Sequence, residues 1–309
     1  MRKDKIFITG SDGFIGNHLV RFFKKKKFQV YGCDLTLKNT NNNNFIKSDF
    51  SSDRVIKFIK SRNINHIVHL AALTEIKKDK NYSIRCNRVN YLQSKIFYQK
   101  IYKEKIFLKN FIFASSAAVY GKSKNIRIKE NHPTIPISMY GKSKLKFERY
   151  LLDNKKNFVN NLFICRFFNV VGGNLVKIKK KDSLFNYIFR SIKNRKNFYI
   201  NGKNHNTPDG TTVRDYIDID ILSKFINCLI NKKGKNIKKI YNVGSGIGLS
   251  ILEILKYLSL ERFRINYFFR SKKKQDIAHS ISNNTLMLRQ LDIKKIDLNI
   301  KYKLKKFFK

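Results

Sequence analysis

The sequence predicts an α/β fold: a doubly wound parallel sheet with a smaller C-terminal lobe. Three observations carry that reading. Short apolar runs of strand length alternate with helical periodicities through the first half of the chain. A turn with evenly spaced glycines joins the first run to the first helix. Polar or small residues (Asp34, Asp49, Ala71, Ser116) follow the apolar runs, where an open parallel sheet keeps its ligand-binding ends. A chain of 309 residues can bury a substantial core with room for a second lobe. The expected division is 1–168 for the sheet domain, with returns from about 203–245, and 169–309 mainly for the lobe.

Taken in order, Lys5–Thr9 reads as a buried strand, followed by Gly10-Ser-Asp-Gly13-Phe-Ile-Gly16 and a helix marked by Phe14, Leu19, Phe22 and Phe23. Gly10 permits a tight turn, Gly13 lets a pyrophosphate approach the helix N-terminus, and Gly16 allows close helix–strand packing. A second strand from Gln29 ends at Asp34, an acid placed for a ribose 2′-hydroxyl, which favours NAD over NADP. The pattern is that of a Rossmann-type nucleotide site. A short strand within 42–47 leads to Asp49, then come a helix over 51–62, a strand over 66–70, a long helix over 83–103 and a strand from Phe111. The candidate cofactor residues at these strand ends are Gly10, Asp12, Gly13, Phe14, Ile15, Gly16, Asp34, Asp49, Phe50, Leu70, Ala71, Ala72 and Ser115, joined by Tyr140, Lys144 and Phe167.

The stretch from Phe111 to Lys144 carries the chemistry. Its apolar run ends at Ser115-Ser116, and Tyr140 and Lys144 stand four apart at the start of a helix, on one face. A cation one turn from a phenol favours phenolate, and Ser116 aimed at the same substrate oxygen completes a general base with its partner. The candidate catalytic residues are therefore Ser116, Tyr140 and Lys144. A Tyr-x-x-x-Lys pair met alone is a surface pair; the strand-end serine and the glycine turn weigh against that here.

Beyond Lys144 a strand is expected over 162–167, then a lysine-rich loop from Gly172-Gly173 to Lys181, a helix over 183–194 and a short strand at 198–200. A long polar stretch, 201–212, leads into Val213-Arg214-Asp215-Tyr216-Ile217; long polar loops in compact domains are usually functional. A helix near 221–231, a strand at 240–243, a helix near 250–258 and a basic tail complete the chain.

Composition narrows the partners. No apolar run approaches the ~20 residues that span a bilayer, and the N-terminal apolar run is too short for a signal peptide, so a cytoplasmic protein without membrane association is expected. The four cysteines are far apart and the six histidines lack ligand spacing, which argues for reduced thiols and no metal site. The net charge of +45 raises the prospect of nucleic-acid binding. Yet Asn, Ile, Phe and Tyr are abundant alongside Lys, while there are 3 Pro, 14 Gly and no Trp. AT-rich codons explain both sides of that skew, whereas phosphate binding would explain only the lysines. No specific nucleic-acid partner is expected.

Five stretches together resemble the extended short-chain dehydrogenase/reductases: Gly10-x-x-Gly13-x-x-Gly16, His69-Leu-Ala-Ala72, Ser115-Ser-Ala-Ala-Val-Tyr-Gly121, Tyr140-Gly-Lys-Ser-Lys144 and Arg166-Phe-Phe-Asn169. The run Thr207-Pro-Asp-Gly-Thr-Thr-Val-Arg-Asp-Tyr-Ile217 is similar to the nucleotide-sugar loop of the UDP-glucose 4-epimerase subgroup. The resemblance implies a tightly held NAD, a UDP-hexose substrate, a homodimer, and interconversion of UDP-glucose and UDP-galactose through a 4-keto sugar. It also implies Asn90 as a cofactor contact and Asn169, Arg214, Lys273 and Asp276, with Ser116, as substrate contacts. Related dehydratases carry an Asp-Glu pair where Ala117 and Ala118 stand, which disfavours dehydration. Thr74, Asn201 and Lys273 depart from the subgroup pattern, and Ser280 is small where sugar size is limited. Two alternatives stay open: an epimerase of another nucleotide sugar, such as UDP-N-acetylglucosamine, and a drifted, non-catalytic protein that binds polyanions.

Overall fold

The structure, a computed structural model, describes residues 4–37, 42–74, 80–123, 126–154, 157–173, 183–272, 276–291 and 298–308. Its strands are β1 (Lys5–Thr9), β2 (Gln29–Asp34), β3 (Phe45–Lys47), β4 (His66–His69), β5 (Leu108–Ser116), β6 (Arg127–Ile128), β7 (Val159–Phe167), β8 (Asn169–Val171), β9 (Phe198–Asn201), β10 (Val213–Asp218), β11 (Lys238–Val243), β12 (Gly248–Ser250), β13 (Tyr267–Arg270) and β14 (His279–Ser282). Its α-helices are α1 (Phe14–Lys25), α2 (Asp53–Ser61), α3 (Lys80–Asn87), α4 (Ser94–Lys103), α5 (Met139–Asp153), α6 (Leu184–Lys193), α7 (Ile219–Ile230), α8 (Ile251–Leu260), α9 (Thr285–Leu291) and α10 (Leu304–Phe308). The chain divides into two compact units, one of Met1–Gly121, Thr134–Arg166 and Phe225–Tyr241, the other of Lys122–Pro133, Phe167–Lys224 and Asn242–Lys309. No helix among the described residues is long and apolar enough to cross a membrane.

The first unit is built on a seven-stranded sheet in the order β11-β7-β5-β4-β1-β2-β3. The β1–β2, β2–β3, β1–β4 and β4–β5 pairs are parallel. Strands buried on both faces need apolar residues at successive positions, and β1 supplies Ile6, Phe7 and Ile8, each fully buried. The order reverses between β1 and β4, the switch point at which such sheets hold ligands. Thr9 fastens that point: its Oγ1 accepts from the backbone N of Leu70 and of Ala71, both at 3.1 Å. An aromatic cluster under α4 and α5 packs Phe113 on Phe147 (centroids 4.8 Å apart) and Phe50 on Phe97 (5.7 Å). Each such buried ring contributes about 1.5–3 kcal/mol of transfer free energy.

Most expected elements stand within a few residues of their sequence positions. Two do not. The helix expected over 83–103 begins at Lys80 and widens into a π-turn over Arg88–Gln93 before α4. Such a turn adds a residue that 3.6-residue periodicity does not register. It contains Asn90, whose carboxamide accepts from Leu73 N (2.8 Å) and donates to Leu73 O (3.0 Å) and Ser143 Oγ (3.2 Å). The expected basic tail is the second correction, because it contributes β13, β14, α9 and α10. Strand β13 exposes all four residues and so shows no alternation; it forms by pairing with β9.

The second unit has a sheet ordered β12-β10-β14-β6, with β8 on β10, beside the β13–β9 pair. Asp215 holds this unit's sheet together. Its fully buried carboxylate accepts from the backbone N of Ser245 (2.7 Å), Gly246 (3.0 Å) and Ser282 (3.0 Å), and from the hydroxyls of Ser245 (2.7 Å) and Ser282 (2.5 Å). Removing that acceptor orphans several buried donors at once. Asp215→Ala is expected to lower stability by about 3 kcal/mol or more in urea denaturation, with Asp215→Asn milder.

Candidate active site

Local structure brings the three predicted catalytic residues together in the first unit. Strand β5 ends at Ser116, which turns the chain into a 3₁₀ turn, its Oγ accepting from Ala118 N at 3.2 Å. Ser138 caps α5, its Oγ accepting from Gly141 N at 3.1 Å, so the helix starts immediately before Tyr140. Gly141 makes the close approach possible, since a Cβ there would run into the carbonyl oxygen of Ala118. The Tyr140 hydroxyl is consequently brought close enough to Ser116 for that side chain to favour its ionised form. Lys144 follows one turn later, almost fully buried, with Nζ 5.9 Å from the Tyr140 ring centroid and 4.8 Å from that of Phe113.

Burial dominates the electrostatics of the pair. Burial pushes Tyr140 up to about 12, against the lowering effect of Ser116 and with Cys86 adding to the rise. Burial likewise drives Lys144 down to about 7, although Cys86 and Glu148 pull it upward. Its Nζ donates to Ala114 O at 2.7 Å. The trio is thus a phenol close to a strand-end serine and one turn from an amine poised to gain or lose a proton at neutral pH.

The glycine turn fits a dinucleotide pyrophosphate. Gly10 is in the left-handed region (φ +69°), and a Cβ on Gly16 would collide with its carbonyl. Helix α1 starts at Gly13 with no side-chain cap and no acid in its first turn, leaving backbone donors of Phe14, Ile15 and Gly16 at a positive helix end. Asp34 stands at the end of β2, with Oδ2 accepting from Asp12 N (3.1 Å) and Oδ1 from Thr36 N and Oγ1 (3.0 Å each). Asp49 accepts from Gln93 Nε2 (2.6 Å) and from Ser51.

The other predicted residues lie in both units. The Phe50 ring lies in the aromatic cluster, and the Ser115 hydroxyl turns to Glu148. Leu70, Ala71 and Ala72 form the half-buried segment after β4, and Asn90 braces its continuation at Leu73. Phe167 ends β7 as a buried ring. In the second unit Asn169 Nδ2 donates to Asp215 O (3.0 Å), Arg214 Nη1 donates to Val213 O (2.9 Å), and Arg214 lies in the field of Asp276. Ser280 pairs with Arg214 across β10 and β14. Lys273 lies outside the described residues. His66 and His69, expected to be structural, are buried in the first unit, and no cluster of metal-ligating side chains exists among the described residues.

Sequence reasoning passed over the role of Glu148, an acid eight residues after Tyr140 on the same helical stripe. Its carboxylate takes Arg166 as a fork, Nε at 3.1 and 3.2 Å and Nη2 at 2.7 Å. The spacing 140, 144, 148 was the available signal.

The lowered Lys144 predicts a pH-dependent stability. Between about 7 and its ordinary 10.5 the unfolded chain holds a proton that the folded chain does not, so the destabilisation from burying this group is full below about 7 and fades as pH rises to 10.5. Urea denaturation is expected to show Lys144→Met gaining most over the parent at neutral pH and losing that advantage towards pH 10. A difference that is flat across this range rejects the buried-amine account.

A model of the NAD dependent epimerase/dehydratase family matches residues 6–244. The chain is 28% identical to a UDP-glucose 4-epimerase of Dictyostelium discoideum, over 93% of this chain and 90% of that one. It is 26% identical to UDP-arabinose 4-epimerase 1 of Arabidopsis thaliana, over 81% of this chain and 65% of that one. A solved structure of UDP-glucose 4-epimerase from Bifidobacterium longum, in complex with NAD+ and UDP, superposes with a TM-score of 0.86 at 26% identity, covering 98% and 97% of the two chains. With the glycine turn, the strand-end serine and the Tyr140–Lys144 helix in one unit, the chain belongs to the NAD dependent epimerase/dehydratase family, and NAD is its cofactor.

Proposed function

We propose that this protein is a nucleotide-sugar 4-epimerase that interconverts UDP-glucose and UDP-galactose. The observation that carries the reading is the convergence of the strand-end Ser116 and Tyr140 in one unit, with Lys144 one turn away, its Nζ 5.9 Å from the Tyr140 ring centroid. Ala117 and Ala118 support it from the other side, since neither can move a proton in an elimination.

Held by the glycine turn, Asp34 and Leu70–Ala72, NAD would supply the hydride acceptor and donor. Tyr140 takes the proton of the sugar 4-hydroxyl as C4 loses its hydrogen as hydride, giving a 4-keto sugar. Ser116 donates to the 4-oxygen and holds it within reach. After the sugar turns its other face, C4 regains hydride and Tyr140 returns the proton. Lys144, poised at about 7, supports the phenolate when charged. In the second unit Arg214 is assigned to the diphosphate by charge-assisted bonds, with Lys273 as a second cation for it, Asn169 as a further contact to the UDP and Asp276 on the uridine ribose. The glycine turn, Asp34 and the segment Leu70–Ala72 are assigned to NAD.

A second reading concerns the sugar. Ser280 is small and half-buried beside Arg214, which favours room for a 2-acetamido group. Failure with UDP-N-acetylglucosamine alongside turnover of UDP-glucose rejects it. We also infer a homodimer, because Ile84, Leu92 and Ile96 on the α3–α4 segment are exposed apolar side chains. Sedimentation is expected to give twice the chain mass, and a monomer at micromolar concentration rejects it.

Incubation with UDP-galactose and no added cofactor is expected to yield UDP-glucose, read by chromatography. Tyr140→Phe is expected to reduce the rate about 10²–10⁴-fold, the usual contribution of a positioned acid–base group. NAD released on denaturation without conversion of any UDP-hexose would keep the fold and reject the activity.

A further inference from the structure

The buried face of α5 carries a third member beyond Tyr140 and Lys144. Glu148 is 1% exposed and Arg166, on β7, is 4% exposed. The carboxylate is fully engaged: Oε1 accepts from Ser115 Oγ, and the Arg166 fork occupies both oxygens. The remaining guanidinium nitrogen, Nη1, donates to the Tyr120 hydroxyl at 2.8 Å, and the guanidinium carbon lies 4.8 Å from the Tyr120 ring centroid. Both ends of this chain of bonds return to the same short stretch. Ser115 precedes Ser116, and Tyr120 closes the 3₁₀ turn that Ser116 caps. The pair therefore clamps the segment 115–120 on both sides of Ser116 to the helix that carries Tyr140 and Lys144.

Stability alone is a poor reason for such a pair. Burying two charges carries a large desolvation cost, and apolar residues of similar volume often do as well. A planar fork fixes direction as well as distance, which suits a clamp.

We propose that Glu148 and Arg166 are positioning residues of the epimerase reaction, holding Ser116 and Tyr140 at the separation at which both reach one substrate oxygen. This rests on the proposed 4-epimerase activity for its kinetic consequence, while the clamp itself is a statement about geometry. Neither residue touches substrate; each acts through Ser115, Tyr120 and the axis of α5.

The test uses Glu148→Gln, which keeps the shape and loses the charge, and Arg166→Lys, which keeps the charge and loses the fork. Each is expected to lower kcat by about tenfold or more, since small misplacements of reacting groups are costly. KM is expected to stay within about twofold, because uniform binding is untouched. Bound NAD, measured after denaturation, is expected to match the parent. Either variant retaining the parent kcat overturns the inference. So does a joint fall of kcat, NAD content and thermal midpoint with a raised KM, which marks a merely structural pair. Crystal structures of the parent and Glu148→Gln supply a readout independent of turnover: the Ser116 Oγ to Tyr140 Oη separation is expected to change, and coincident positions overturn the clamp. A parent that converts no nucleotide sugar overturns the proposed activity, and the crystallographic comparison still decides the clamp.

Discussion

A carboxylate and a guanidinium buried against each other, Glu148 and Arg166, organise the first unit around one point. Ser115 at the end of β5 and Tyr120 in the turn after it join the pair to the segment around Ser116, with Glu148 on α5 and Arg166 on β7. In a low-dielectric interior an unpaired charge is very unfavourable, so the two side chains cannot drift apart without large cost. Such an interaction makes the positions of its neighbours interdependent. The aromatic cluster beneath, with Phe113 edge-on to Phe147, fixes α5 from the other side by close packing. Between polar clamp and apolar bed, the first turn of the helix is left with one place to sit.

That placement also sets the charges. The chain bears +45 overall, yet the lysine that matters most is driven down to about 7 because water has been removed from it. Surface charge and site charge answer to different physics: the first follows composition and is screened by salt, the second follows desolvation. Tyr140 feels the same desolvation in the opposite sense, and Ser116 offsets only part of it. The proton affinities of phenol and amine are thereby moved apart, so that between about 7 and about 12 both groups are predominantly neutral. The Tyr-x-x-x-Lys spacing states which groups are present; burial states how they titrate.

The elements that could be read from the sequence share a property: their signals are local. Ile6-Phe7-Ile8 followed by three spaced glycines is a strand, a turn and a helix whatever surrounds them, because backbone and packing needs are met within the segment. Ser138 before Tyr140 and Ser183 before α6 are caps of the same local kind. The elements that escaped depend on partners far away. The β13 strand has four exposed residues and exists by pairing with β9, and β6 is two residues long and exists by pairing with β14. The π-turn around Asn90 shows no mark in the hydrophobic pattern, because one residue was added without changing which side chains are apolar.

The sequence by itself determined the order of the first unit's strands and helices, the glycine turn, the acid closing β2, and the choice of Ser116, Tyr140 and Lys144 as candidates, since each rests on residue type and short spacing. Only the tertiary structure decided that Ser116 and Tyr140 come together across 23 intervening positions, that burial lowers Lys144 to about 7, and that Asp215, Glu148 and Arg166 lie inside the protein. The reason is physical. Residue spacing governs what lies on one face of one element, whereas desolvation and long-range pairing are properties of everything packed around it.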